Sequence, residues 1–113
     1  MHKPPTWGEI TEFYADLATS PRYYVCGTGM LDLVTKIQKH PDFIAIQPAL
    51  AHAGLTLRTQ MAERSIVIDC DKSGYYNVYL DHCGDTPETY FGKMTTVAAD
   101  EIVPTLLDYL ERL

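Results

Sequence analysis

Three segments of the chain carry apolar side chains at helical spacing, and several others alternate them. In "TWGEITEFYADLATS", Trp7, Ile10, Phe13, Tyr14 and Leu17 fall on one stripe. Thr6 and Glu9 have the spacing of a capping box, which predicts that a helix starts here. Ser20-Pro21 ends it, because the residue before a proline is pushed out of the helical region. Leu31, Leu33, Val34 and Ile37 form a second stripe, over about Met30 to Lys39, stopped by His40-Pro41. In "ADEIVPTLLDYLERL" the stripe is Ile102, Val103, Leu106, Leu107, Leu110 and Leu113. Asp100 is the expected N-cap, and Glu101 suits the positive end of the helix dipole. Pro104 is compatible with that helix in its first turn, where a missing N–H has no intrahelical partner to lose.

Other stretches read as strands. "RYYVC", Arg22 to Cys26, is rich in strand formers and runs into Gly27-Thr28-Gly29, which predicts a short strand before the second helix. "HAGLTLRTQ" places Ala53, Leu55, Leu57 and Thr59 on one side and Thr56, Arg58 and Gln60 on the other. "SIVIDC" follows across the short connection "MAER", and "YFGKMTTV" reads as a further strand. "DFIAIQPALA" fits neither a long strand nor a long helix because of Pro48, and it is read as irregular or short helix. The order predicts one α+β domain over residues 1–113, with an antiparallel, meander-like sheet of about four strands and the N-terminal and C-terminal helices on one face.

The stretch "DCDKSGYYN", Asp69 to Asn77, decides between two chemistries. As an EF-hand loop it would use Asp69, Asp71, Ser73 and Asn77 as ligands and Gly74 as its sharp turn. The closing carboxylate position holds Leu80, and the flanks "RSIVI" and "YYNVYL" are strand formers where amphipathic helices are needed. As a hairpin it closes on Lys72-Ser73-Gly74, with Gly74 in the left-handed position. Asp71 then faces Tyr75, and the register pairs Cys70 with Tyr76, Ile68 with Val78 and Ile66 with Leu80. One face collects those six residues. The other collects Val67, Asp69, Asp71, Tyr75, Asn77, Tyr79 and Asp81. A slip of one residue would bury aspartates without partners, so turn chemistry and alternation both favour the hairpin.

Composition narrows the function classes. The chain has 113 residues, 46% of them hydrophobic, enough for a compact core. Its net charge of −6, from 15 acidic and 9 basic residues, opposes binding to phosphate backbones and is compatible with a basic partner, the plain alternative being that modest acidity only keeps the domain soluble. No apolar run is long enough for a membrane span, and "MHKPPTWGEI" has no apolar segment of the secretory kind. Three cysteines, Cys26, Cys70 and Cys83, with no Cys-x-x-Cys, suit a reducing, cytoplasmic setting.

Catalytic and metal chemistry find little to stand on. Cys26, ahead of the second helix, could be an activated nucleophile with His40 or His52 as base, but free cysteine is more often an inert core residue. Gly27-Thr28-Gly29 lacks the length and the lysine of a phosphate loop. His82 and Cys83, with Asp81 and Asp85 nearby, are adjacent and point apart, short of a zinc set. No catalytic triad is spaced here, so the reading assigns no catalytic residue, metal or cofactor. The candidate partner-binding surface is the outer face of the hairpin: Asp69, Asp71, Tyr75, Asn77, Tyr79 and Asp81. Stiff tyrosines beside carboxylates suit a cationic protein surface, and the plain alternative is a solvated sheet face with tyrosines chosen for strand propensity. Tyr24, Cys26 and His52 are the candidate lining of a helix–sheet cleft.

Together, "AHAGLTLRTQ", "ERSIVIDCDKSGYYNVYL" and "ADEIVPTLLDYLERL" resemble the small uncharacterised α+β proteins of bacteria, including those carried in integron gene cassettes. The layout of hairpin, strand and amphipathic last helix is also similar to many toxin-immunity proteins. The resemblance covers roughly Ala51 to Leu113 and rests on layout, so it transfers no functional residue. It implies a cytoplasmic, non-catalytic protein that binds a protein partner, with a homodimer as another use of the tyrosine face. The alternative is a small-molecule-binding protein or minor enzyme working in the helix–sheet cleft.

Overall fold

The computed structural model describes residues 5–51, 54–59, 64–82 and 94–111, and the backbone alone for Ala51, Arg64, Asp81 and His82. In chain order these form α1 (Trp7–Leu17), α2 (Tyr24–Lys39), a single 3-10 turn (Pro41–Phe43), β1 (Gln47–Ala51) and β2 (Gly54–Arg58). β3 (Arg64–Cys70), β4 (Tyr76–His82), β5 (Thr95–Val97) and α3 (Ile102–Leu110) complete them. The five strands lie in the order β1-β2-β3-β4-β5, each antiparallel to the one before it. The fold is α+β with helices at both ends of the chain, as expected, and the sheet has one strand more than the alternation suggested.

The expected capping box closes α1. The Glu9 N–H donates to Thr6 Oγ1 at 3.1 Å, and the Thr6 N–H donates to Glu9 Oε1 at 3.2 Å, which satisfies two donors that a helix start leaves orphaned. Ile10 and Tyr14 are fully buried, with Trp7, Phe13 and Leu17 packed at the margins.

The α2 helix departs from expectation. No strand forms at Arg22 to Cys26: residues 21–23 turn, and Tyr24, Val25 and Cys26 are the first residues of the helix. Gly27-Thr28-Gly29 lies inside it. Packing overrides strand propensity here. Gly27 lets α2 press on the end of α1, since a Cβ there would stand 2.5 Å from the Ala18 nitrogen. Gly29 lets the same helix press on the sheet, and the Tyr76 hydroxyl donates to the Gly29 carbonyl at 2.5 Å.

Two further boundaries differ. The stretch read as irregular or short helix is the 3-10 turn followed by β1, whose only neighbour among the described strands is β2, so Pro48 sits on an edge strand that tolerates a missing donor. At α3 the cap is Glu101, not Asp100, and makes no side-chain bond, while its N–H donates to the Ala98 carbonyl at 3.0 Å. Pro104 falls in the first turn, as expected.

The β3–β4 register is the predicted one: Ile66 pairs with Leu80, Ile68 with Val78 and Cys70 with Tyr76. The Gly74 φ is +86°, a left-handed conformation that costs a residue with a Cβ. Leu55, Leu57, Ile66, Ile68, Cys70, Tyr76 and Val78 point to the helix side and are buried. They meet Ile10 and Tyr14 of α1, Met30, Leu33, Val34 and Ile37 of α2, and Ile102, Leu106 and Tyr109 of α3. Tyr109, outside the stripe read from sequence, shares a 2.8 Å hydrogen bond with Thr95 and ties α3 to β5.

Candidate functional site

On the face away from the helices, the side chains of Thr56, Val67, Asp69, Asn77 and Tyr79 are half-buried by one another. This is the pattern of a sheet face that meets solvent. Three strands are joined by a polar ladder. Asn77 donates through Nδ2 to Asp69 Oδ1 at 2.8 Å, and Thr96 Oγ1 donates to Asn77 Oδ1 at 2.8 Å. The register places Asn77 opposite both Asp69 and Thr96, so these are cross-strand pairs of the kind that stabilise a sheet.

Asp71 serves the turn. Its Oδ1 accepts the N–H of Ser73 at 2.8 Å and that of Tyr75 at 3.2 Å, and its backbone N–H donates to the Tyr75 carbonyl at 2.9 Å. The acids that read as loop ligands are thus engaged by the hairpin itself. Among the described residues, no three His, Cys, Asp or Glu side chains come close enough to share an ion.

Of the six residues predicted to form the binding surface, Asp69 and Asn77 are therefore paired, Asp71 holds the bend, and Tyr79 is half-buried with a partner of its own. Asp81 is described by its backbone alone, in β4 opposite Ser65. Among those whose side chains are described, Tyr75 is the one that stands out into solvent, 48% exposed.

The exposed aromatic surface does not stop at the hairpin. Tyr24, 60% exposed, and Val25 open α2, with Tyr23 just before them, and all three are exposed. Val25 lies beside Gly74, 3.9 Å from where a Cβ would stand on it, which brings the start of α2 to the hairpin tip next to Tyr75. The Arg22 guanidinium sits over the Tyr23 ring, 5.4 Å from its centre. Sequence reading missed this continuation because it laid Tyr23, Tyr24 and Val25 along a strand. The available signal was Pro21 followed by an apolar run with no polar alternation.

The residues proposed for a helix–sheet cleft are described only in part. Tyr24 faces solvent and Cys26 is half-buried on the first turn of α2, while His52 lies outside the described residues, as do Cys83 and Asp85. An open groove of roughly 660 Å³ runs elsewhere, between the start of α1 and β1, lined by Trp7, Ile44, Ile46 and Pro48 with Thr6 and Gln47 among its polar members. No acid, base or thiol is among its described lining residues.

No family model matches the chain, and no curated protein or solved structure matches it either. No described helix is long and apolar enough to cross a membrane.

Three buried groups titrate late. Burial, with added repulsion from Cys26, Asp71 and Asp69, pushes the Cys70 thiol from its usual 9.0 up to about 11. Burial, with Cys70 and Asp32, pushes the Tyr76 phenol from 10.0 up to about 12. Burial and Asp69 hold the Tyr14 phenol above the ordinary range as well. In each, the folded state keeps its proton more tightly than the unfolded chain, so stability is intact below the unfolded value and is lost as pH rises through the folded one. Urea midpoints should therefore hold level up to about pH 9 and decline between about pH 9 and 12, and in Cys70→Ala the decline should begin about one pH unit later. A midpoint that held to pH 11 would contradict the burial of these groups.

Proposed function

We propose that this chain is a small, non-catalytic, cytoplasmic binding protein, immunity-like in layout, that holds a basic protein partner at its hairpin end. The observation that carries the reading is the contact of Val25 with Gly74, which sets the exposed start of α2, with Tyr23 and Tyr24, at the same end of the fold as the exposed Tyr75. Tyrosine supplies large contact area at a small entropy cost, and such residues dominate the energetics of interfaces. The net charge of −6, with Asp69 in β3, Asp71 in the turn and Asp81 in β4, favours a cationic surface over a second copy of the same acidic chain. The alternative of a small-molecule site has the α1–β1 groove in its support, but the described lining residues offer nothing to move a proton or attack a substrate.

Immobilised wild-type protein should retain a specific basic protein from a lysate of the source cell, and Tyr24→Ser/Tyr75→Ser should retain it at least roughly tenfold less well. Added salt should weaken capture. Equal capture by the double variant would remove the aromatic end from the interface. A dimer mass by light scattering, lost in the same variant, would assign the surface to a second copy instead.

A further inference from the structure

We propose that Cys26 and Cys70 form a reversible disulfide, a thiol–disulfide exchange site that takes low-molecular-weight disulfides such as oxidised glutathione as its oxidant. The argument begins at Gly29. A Cβ built there would stand 2.7 Å from Cys70 Sγ and 3.7 Å from Cys70 Cβ, so the Cys70 side chain lies directly against α2 at that point. Cys26 precedes Gly29 by three residues in the same helix. At that spacing two side chains are neighbours on one face, with Cβ atoms about 5–6 Å apart. The sulfur of Cys70 therefore sits under the turn from which Cys26 projects, and residue 29, being glycine, puts no side chain of its own between them.

Two further observations agree. Cys26 is among the groups whose charge raises the Cys70 thiol, in keeping with that placement. Both cysteines are free, Cys70 buried and Cys26 half-buried, so one sulfur is within reach of a small oxidant and the other is shielded. That division suits a stepwise exchange. The Cys26 thiolate attacks the small disulfide and releases one small thiolate, leaving a mixed disulfide. Cys70 gives its proton to solvent and its thiolate attacks the Cys26 sulfur, expelling the second small thiolate. Two protein thiols are oxidised and one small disulfide is reduced to two thiols. The cross-link would fasten the first turn of α2 to the end of β3, beside the hairpin tip. The chemistry stands whether or not that end binds a partner.

The test uses full-length Cys83→Ser, which leaves these two thiols alone. Incubation with oxidised glutathione at weakly alkaline pH should remove two hydrogens from the intact mass and abolish maleimide labelling after denaturation. Peptide mapping should give a Cys26–Cys70 link, and dithiothreitol should reverse it. The linked form should melt at least about 5 °C higher, because the bond closes a long loop in the unfolded chain. Cys26→Ser, a change at a half-exposed position, should neither oxidise nor shift. A glutathione adduct that persists on Cys26, a link between molecules, or two thiols that stay free under native conditions would each overturn the proposal.

Discussion

Gly27→Ala should destabilise the protein by about 2 kcal/mol, read as a lower urea midpoint at unchanged slope. Alanine normally gains up to about 1 kcal/mol over glycine inside a helix. Here the added carbon would stand 2.5 Å from the Ala18 nitrogen and 2.8 Å from both Ala18 Cα and the Leu17 carbonyl carbon. These are backbone atoms at the end of α1 and cannot swing aside as a side-chain tip can. Relief requires the two helices to part, and α1 carries Ile10 and Tyr14 into the shared core. Overpacking of this kind costs about 1–3 kcal/mol and occasionally more, which outweighs the propensity gain. Gly8→Ala provides the contrast. It lies exposed in α1 with only Thr6 Oγ1 near, at 3.7 Å, so the same change there should stabilise by about 0.5–1 kcal/mol. Equal effects at the two positions would mean that α1 and α2 do not approach as closely as described.

Adjacent residues of β3 should respond to the same substitution in opposite ways. Ile68 is fully buried between Leu55 of β2 and Val78 of β4. Among the described residues no acid is buried there to meet an ammonium, and an unpaired buried charge costs several kcal/mol even after relaxation. The lost side chain adds about 2 kcal/mol or more. Ile68→Lys should therefore lose at least about 4 kcal/mol, a large share of a small domain's stability, and leave little cooperative folding in circular dichroism. Val67 looks the other way, opposite Tyr79 and two residues from Asp69. Val67→Lys meets water and a carboxylate, and it should change stability by less than about 1 kcal/mol. A soluble, folded Ile68→Lys would invert the faces of the sheet.

That contrast shows why the hairpin was legible in the sequence. Ile66, Ile68 and Cys70 alternate with Val67 and Asp69, and Gly74 independently requires a bend at the one place that keeps those sets apart. Two signals of different origin gave one register. The same held at Thr6 and Glu9, where a local bond pattern is complete within four residues. What stayed hidden depended on partners distant in sequence. Tyr23, Tyr24 and Val25 have strand propensity, and glycines 27 and 29 look like a break until the end of α1 and Cys70 are placed against them. Pro48 argues against a strand only if both edges must be paired, and the chain cannot announce that β1 lies at a margin. The candidate surface divided in the same way. Tyr75 follows from the register, as does Asn77 opposite Asp69, whereas the bond from Thr96 to Asn77 depends on which strand lies beyond β4.

The strand order also bears on how the sheet comes together in time. Because every strand joins the one just before it, no pairing step has to wait for a remote segment or thread past an existing neighbour. The entropy spent in closing each loop stays small, as expected of topologies rich in local contacts, which assemble quickly. The demanding step is of another kind: seating α2 so that Tyr76 reaches the carbonyl of Gly29, 47 residues earlier in the chain. A nascent polypeptide therefore makes this segment long before its seat exists, and the part of its apolar side that α1 does not cover must wait until the β3–β4 ribbon emerges.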